Sequence, residues 1–138
     1  MGGFFGIASR DECVLDVLFG TDYHSHLGTK TGGMSAWDKD AGMQRQIHNI
    51  SNSPFRTKFE NITDSMKGTS VIGCISDTDP QPLLIRSKLG VFSICIVGRI
   101  NNIESLAQMT FEAQGHFNAV TEGKINQTEL VASMISMK

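Results

Sequence analysis

The sequence predicts a layered α+β domain with helices packed over sheet, and three observations lead there. Amphipathic helical stretches and short β-rich stretches intermix along the chain with no linker between them. The run Phe92-Ser93-Ile94-Cys95-Ile96-Val97 is apolar at nearly every position, as a strand covered on both faces would be. The opening residues, Met1-Gly2-Gly3-Phe4-Phe5-Gly6-Ile7-Ala8-Ser9, read as a short buried strand that begins at once, which places the amino end inside the fold.

Composition narrows the class. A chain of 138 residues suits one domain and can bury a sizeable core. Hydrophobic content of 40% with 19% charged residues is that of a soluble globular protein rather than a disordered tail. A net charge of −2 without a basic cluster gives no electrostatic reason to expect nucleic acid. No apolar run approaches the ~20 residues of a membrane helix, and no charged segment followed by an apolar one marks a leader. Cys13, Cys74 and Cys95 are odd in number and widely spaced, so neither a disulfide framework nor a zinc site is indicated. A reducing cytoplasm and no cofactor are the expectations.

The elements follow in order. Ser9-Arg10-Asp11-Glu12 has the form of a capping box opening a helix that buries Val14, Val17 and Leu18 and frays near Gly20. Residues 23–28 read as extended, with His24 and His26 on one face. Residues 32–37 read as a strand that turns through 39–42 into 43–50, a hairpin whose imperfect alternation leaves the register open. Ser53-Pro54 supplies an N-cap with proline at the first helical position. Phe55, Phe59, Ile62 and Met66 then fall at i, i+4, i+7 and i+11, one stripe of a second helix that ends at Gly68. Residues 69–75 form a strand, and in the polar loop 76–82 Pro80 and Pro82 forbid helix. Residues 83–86 and 91–97 are neighbouring strands joined by Lys88-Leu89-Gly90. Asn102 caps a third helix carrying Ile103, Leu106, Ala107 and Thr110, which stops before Gly115. Asn126-Gln127-Thr128-Glu129 opens a last helix with Leu130, Val131, Met134 and Ile135 inward.

A strand at the very start is the layout of an N-terminal nucleophile hydrolase, where the first side chain attacks and the free α-amine is its base. Gly2 has no side chain to attack with. Beyond this layout, the motifs resemble those of the class II (N-terminal nucleophile) glutamine amidotransferase domain of amidophosphoribosyltransferase. That family begins Met-Cys-Gly-Ile-x-Gly, and Met1-Gly2-Gly3-Phe4-Phe5-Gly6 fits except at the cysteine. Its His-Arg-Gly-Gln-x-x-x-Gly is similar to His26-Leu27-Gly28-Thr29-Lys30-Thr31-Gly32-Gly33, without the arginine. Its Gly-His-x-Arg-Tyr-Ser-Thr and following Ala-Gln-Pro look like Gly73-Cys74-Ile75-Ser76-Asp77-Thr78-Asp79 and Pro80-Gln81-Pro82. Its His-Asn-Gly-Asn-Ile/Leu-x-Asn resembles Ile96-Val97-Gly98-Arg99-Ile100-Asn101-Asn102, and its Ser-Asp-Thr-Glu-Val resembles Asn126-Gln127-Thr128-Glu129-Leu130.

The departures gather in one place. In the family the cysteine attacks the glutamine amide, the arginine of the third motif holds the substrate carboxylate, the Asn-Gly pair supplies oxyanion donors, and the aspartate before Thr-Glu grips the amine. Carried over, those positions read Gly2, Ser76, Val97-Gly98 and Gln127, with Cys74 in place of a histidine and Asp77 beside Ser76. Ser76 cannot make arginine's bidentate pair with a carboxylate. Val97 removes a side-chain oxyanion donor, a loss of ~10²–10³ in rate by itself. Gln127 is neutral where an ammonium needs an anion.

The resemblance therefore implies a partial αββα sandwich of the N-terminal nucleophile hydrolase type over residues 1–138, with no catalytic residue and a degenerate glutamine pocket. It implies that the C-terminal remainder of the domain and a phosphoribosyltransferase domain, its partner in the same parent chain, lie outside these residues. The parent would make phosphoribosylamine from phosphoribosyl diphosphate in purine biosynthesis. Two other readings stay open. One is an active amidohydrolase whose nucleophile is supplied differently, Cys74 being one source. The other is an interaction or regulatory module that dimerises through open sheet edges. Simpler readings also stand: Cys74 as a small buried hydrophobe, and Asp77 and Asp79 as solvated turn carboxylates. Arg45, Arg56 and Lys58 read as a solvated face, and His24, His26, His48 and His116 as histidines without the further ligands a metal needs.

Overall fold

The computed structural model describes residues 1–114, 120–121 and 123–138. Its principal sheet has four antiparallel strands, β1 (Gly2–Ala8), β2 (Thr31–Asp38), β3 (Gly42–Asn49) and β4 (Ser70–Ser76), in the order β1-β4-β2-β3. The hairpin of β2 and β3 expected from the sequence is present, in a register that pairs Thr31 with Asn49 and Asp38 with Gly42. Its turn is fastened by the Asp38 carboxylate, which accepts the backbone N–H groups of Asp40 and Ala41 at 2.9 Å each.

Because side chains alternate along each strand, the register sorts them into two faces. On one face Met34 and Ala36 of β2 lie beside Val71 and Ile75 of β4. This face packs on α1 (Val14–Tyr23) and on two one-turn helices, α2 (Phe55–Lys58) and α3 (Ile62–Ser65). Val14, Val17, Leu18, Met34, Phe55, Phe59, Ile62, Val71 and Ile75 make the core. The Phe55 and Phe59 rings stack at 4.4 Å, with His48 edge-on to Phe59 at 4.8 Å.

The opposite face carries Gly33, Cys74 and Ser76 and is covered in part by the second sheet, the hairpin of β5 (Leu83–Ser87) and β6 (Gly90–Ile94), with the loop before it. Gly33 lets that loop approach: a Cβ there would run into the Gln81 carbonyl. Arg45 reaches the same loop, donating to the Pro82 carbonyl at 3.4 Å. On the far side α5 (Gln127–Ser136) touches β5 and α4 (Ile103–Gln114) packs on α5. A two-residue-strand hairpin, β7 (Val120–Thr121) with β8 (Lys124–Ile125), precedes α5. The layers run helix, sheet, sheet, helix, which is the partial αββα sandwich the resemblance implied.

Several local expectations are corrected. Ser9 does not cap α1; its hydroxyl accepts the N–H of Asp11 in a bend. Glu12 starts the helix instead. Its carboxylate accepts the N–H of Val14 at 2.8 Å and, across the fold, that of Gly68 at 2.7 Å, and the helix runs on past Gly20. The stripe Phe55, Phe59, Ile62, Met66 is buried throughout, but the backbone breaks between α2 and α3 around Asn61. Residues 25–27 form a 3₁₀ turn, so His24 and His26 do not share an extended face. β6 is only partly buried: its layer lies between the principal sheet and α5, but none of its residues is fully buried and Val91 is exposed. In α5 Thr128, Leu130 and Ala132 are buried while Met134 and Ile135 face out. The amino end is not inside: Met1 is 89% exposed, and among the described residues β1 is the outer strand of its sheet. The Gly115 and His116 positions lie outside the described residues.

Truncation tests this packing. Phe59→Ala is expected to lose about 3–5 kcal/mol of unfolding free energy, whereas Val91→Ser, at an exposed position of β6, should stay within about 0.5 kcal/mol of the parent. Urea denaturation of both variants measures the difference.

Candidate functional site

Three strand ends meet at one corner. Ser76, the last residue of β4, pairs with Gly2 on one side and Thr31 on the other, and the Thr31 hydroxyl donates to the Ser76 carbonyl at 2.8 Å. The chain then leaves β4 through Asp77. This carboxylate accepts the N–H groups of Thr29 at 2.7 Å and Lys30 at 3.0 Å, and its other oxygen lies 3.3 Å from the Met1 ammonium. Asp77 is thus a clamp on the entry to β2 rather than a solvated turn carboxylate. Burial pushes its pKa up, but the Thr29 and Lys30 N–H groups and the nearby ammonium outweigh that, and the net shift is downward. Asp79 is also corrected: it is 5% exposed, and its Oδ2 has no hydrogen-bond partner among the described residues.

Above this corner runs the segment that follows β6. Gln81 is 1% exposed and joins the two. Its Nε2 donates to the Ser76 hydroxyl at 3.3 Å, and its Oε1 accepts the Ile96 N–H at 2.6 Å. The Ser76 and Thr78 hydroxyls are 3.4 Å apart. Further along, Gly98 has φ of +147°, a conformation that disfavours any side chain. Gln127, at the start of α5, holds that loop from both ends of its amide. Nε2 donates to the Gly98 carbonyl at 2.9 Å, and Oε1 accepts the Ile100 N–H at 3.4 Å. Asn126 caps α5 as expected, accepting the Glu129 N–H at 2.9 Å.

Between these segments lie two adjoining cavities. One, of about 340 Å³, has Gly2, Ser76, Val97 and Gly98 in its wall. The other, of about 630 Å³, has Asp77, Asp79, Gly98 and Gln127, and Thr78, Gly98 and Arg99 border both. Six of the seven positions singled out from the sequence therefore surround one cleft. Cys74 does not: it is 0% exposed under the second sheet, and its thiol, beside Cys95 and buried, is pushed above its ordinary pKa. Sequence reasoning missed Gln81 as a structural strut; a glutamine confined between two prolines was the only signal. Among the described residues no three His, Cys, Asp or Glu side chains come together. His24 lies over Gly3, and His48 packs on Phe59. Of the three basic residues read as a solvated face, Arg56 pairs with Asp22 at 2.7 Å and lies over the Phe19 ring.

The fold is that of a known architecture. The chain aligns over its full length with glutamine phosphoribosylpyrophosphate amidotransferase from B. subtilis, solved with ADP and GMP, at a TM-score of 0.80 and 23% identity. It aligns equally fully, at 0.78 and 23%, with a solved structure described as the allosteric regulatory enzyme of purine biosynthesis. In each case it spans about 30% of the length of that chain. No family model and no curated protein matches the sequence. The likeness establishes the fold, the N-terminal nucleophile hydrolase type implied by the motifs.

The Asp77 clamp gives a pH signature. A carboxylate whose pKa is lowered in the folded state stabilises above its unfolded value, ~3.9, and the contribution disappears as pH falls through the folded value. Asp77→Asn is expected to cost about 1.5 kcal/mol at neutral pH and to flatten the fall in stability below about pH 4. Denaturation curves across that range for both proteins measure it.

Proposed function

We propose that this chain is the glutamine amidotransferase-type domain of a cytoplasmic, amidophosphoribosyltransferase-like protein of purine biosynthesis, and that it does not hydrolyse glutamine. The observation that carries this reading is the setting of Gly2. A Cβ at that position would run into the Ile75 carbonyl oxygen of β4. An attacking side chain is missing from the sequence, and one placed there would need the neighbouring strand to shift.

The rest of the cleft agrees. Glutamine hydrolysis needs a nucleophile, a base, donors for the oxyanion and charged grips for the substrate's amino-acid end. Gln127 stands where the amine would be gripped, but both ends of its amide are engaged by the Gly98–Ile100 backbone. Ser76 stands where a guanidinium would hold the carboxylate, and its hydroxyl faces Thr78 and the Gln81 amide, neither of which is a base. Cys74 is sealed away from the cleft, which disfavours a relocated nucleophile. Arg99 borders both cavities and could hold an acidic small molecule, so binding and turnover are separate questions. A domain silent in this way would serve a phosphoribosyltransferase domain of its parent chain by packing on it or regulating it.

Ammonia release from glutamine by the chain is expected to stay at the level of the enzyme-free blank. Glutamine-dependent release, or a parent protein that turns over with glutamine as well as with free ammonia, would end the reading. Gly2→Cys is expected not to create activity and to lower stability by about 1–3 kcal/mol through overpacking against β4, as measured by thermal unfolding.

A further inference from the structure

β6 and the residues after it run along β4 across the gap between the two sheets, and the contacts at either end fix how they face. At one end Val71 and Ile72 share a cavity wall with Phe92 and Ser93. At the other, Ile75 and Ser76 share one with Ile96 and Val97, and Gln81 ties this end by bonding both the Ser76 hydroxyl and the Ile96 N–H. Between these anchored ends Cys74, on the face of β4 turned to the second sheet, stands opposite Cys95. The two thiols meet there in a hydrogen bond. We infer that Cys74 and Cys95 form an oxidisable dithiol, a modification site at which a hydroperoxide closes a disulfide between the two sheets.

The two thiols differ in the way such a step requires. Cys95 is half-buried and stands one residue past β6, outside its ladder with β5. The hydrogen bond from Cys74 holds its pKa below the ordinary thiol value, against the opposing effect of burial. Cys74 is fully buried, and the same contact together with burial pushes its pKa up. Cys95 is therefore the thiolate that meets the oxidant, and Cys74 the thiol that resolves it. The Cys95 sulfur attacks one oxygen of hydrogen peroxide: the S–O bond forms, the O–O bond breaks, and the departing hydroxide takes up a proton as water. The Cys74 sulfur then attacks the sulfenic sulfur. The S–S bond forms, the S–O bond breaks, and hydroxide leaves with the Cys74 proton as a second water. Two thiols lose two electrons and one peroxide gains them.

Closure brings the sulfurs to about 2.05 Å. The backbone at Cys95 gives more readily than β4, which is paired on both edges. In a reducing compartment such a pair rests as the dithiol and links only under an oxidant. Ile96 to Gly98, which follow Cys95 directly, wall the smaller cavity, so the state of the pair sets how firmly that wall is held. The third thiol serves as an internal control. Cys13 belongs to the core on the helix side of the principal sheet, where it lies against the Ile7 and Gly68 carbonyls.

The test treats the folded chain with hydrogen peroxide in small molar excess, then blocks remaining thiols and maps the peptides by mass without reduction. The expected product is a monomer lighter by two hydrogens, with Cys74 joined to Cys95, Cys13 blocked, and both thiols recovered on adding dithiothreitol. Cys74→Ser is expected to stop at a Cys95 sulfenic acid, trapped by a 1,3-dicarbonyl reagent at least several-fold faster than any adduct on Cys13. Wild-type chain that keeps three free thiols overturns the inference, as does one that links through Cys13 or between chains, or oxidises Cys95 without joining it to Cys74. The wild-type map needs no variant to fold. None of these measurements involves glutamine, so the reading of the cleft can fail without this one, and the reverse.

Discussion

One buried amide holds the two sheets together where the cleft forms. Gln81 is almost completely removed from solvent, and an amide in that position must find partners or cost the fold several kcal/mol. It takes one partner from each layer: the Ser76 hydroxyl at the end of β4 and the Ile96 N–H beyond β6. The close approach that makes this reach possible depends on Gly33, whose missing Cβ leaves room for the Gln81 backbone. The position of the segment 95–98, and with it the shape of the smaller cavity, follows from that contact.

The same logic extends around the cleft. Asp77 ties the exit of β4 to the entry of β2, and Gln127 ties the start of α5 to the Gly98 loop. Each is a polar side chain of the kind that can recognise a ligand, yet each bonds to the protein's own backbone. Polar groups satisfied internally stiffen a site and leave less for a guest. The cleft is well formed as a shape, and at these positions it offers a guest little, while Asp79, Arg99, Glu104 and Lys124 also border it.

The sequence was legible where the determinants were local. The β2–β3 hairpin was readable from its glycines and its turn, and the buried stripe from Phe55 to Met66 from its spacing, though that spacing could not report the break near Asn61. Asn126 was readable as a cap because its partner is three residues away. The misreadings share a different cause. Glu12 looked like half of a capping box because its second partner, Gly68, is 56 residues distant. Asp77 and Asp79 looked solvated because the elements that enclose them come from elsewhere in the chain. β6 looked fully buried because an apolar run cannot say how completely the neighbouring layers cover it. Ordered motifs located the cleft, but only coordinates revealed that its polar positions are engaged internally.

The closeness of Gly2 to the carbonyl of Ile75 bears on how this position can change over time. Any residue other than glycine there needs β4 to shift, and the end of β4 is itself pinned by Thr31 and Gln81. A substitution at residue 2 alone is penalised, and loosening the strand first is penalised as well. Changes at residue 2 and at the contacts that pin β4 are therefore energetically coupled, and their effects on stability do not add.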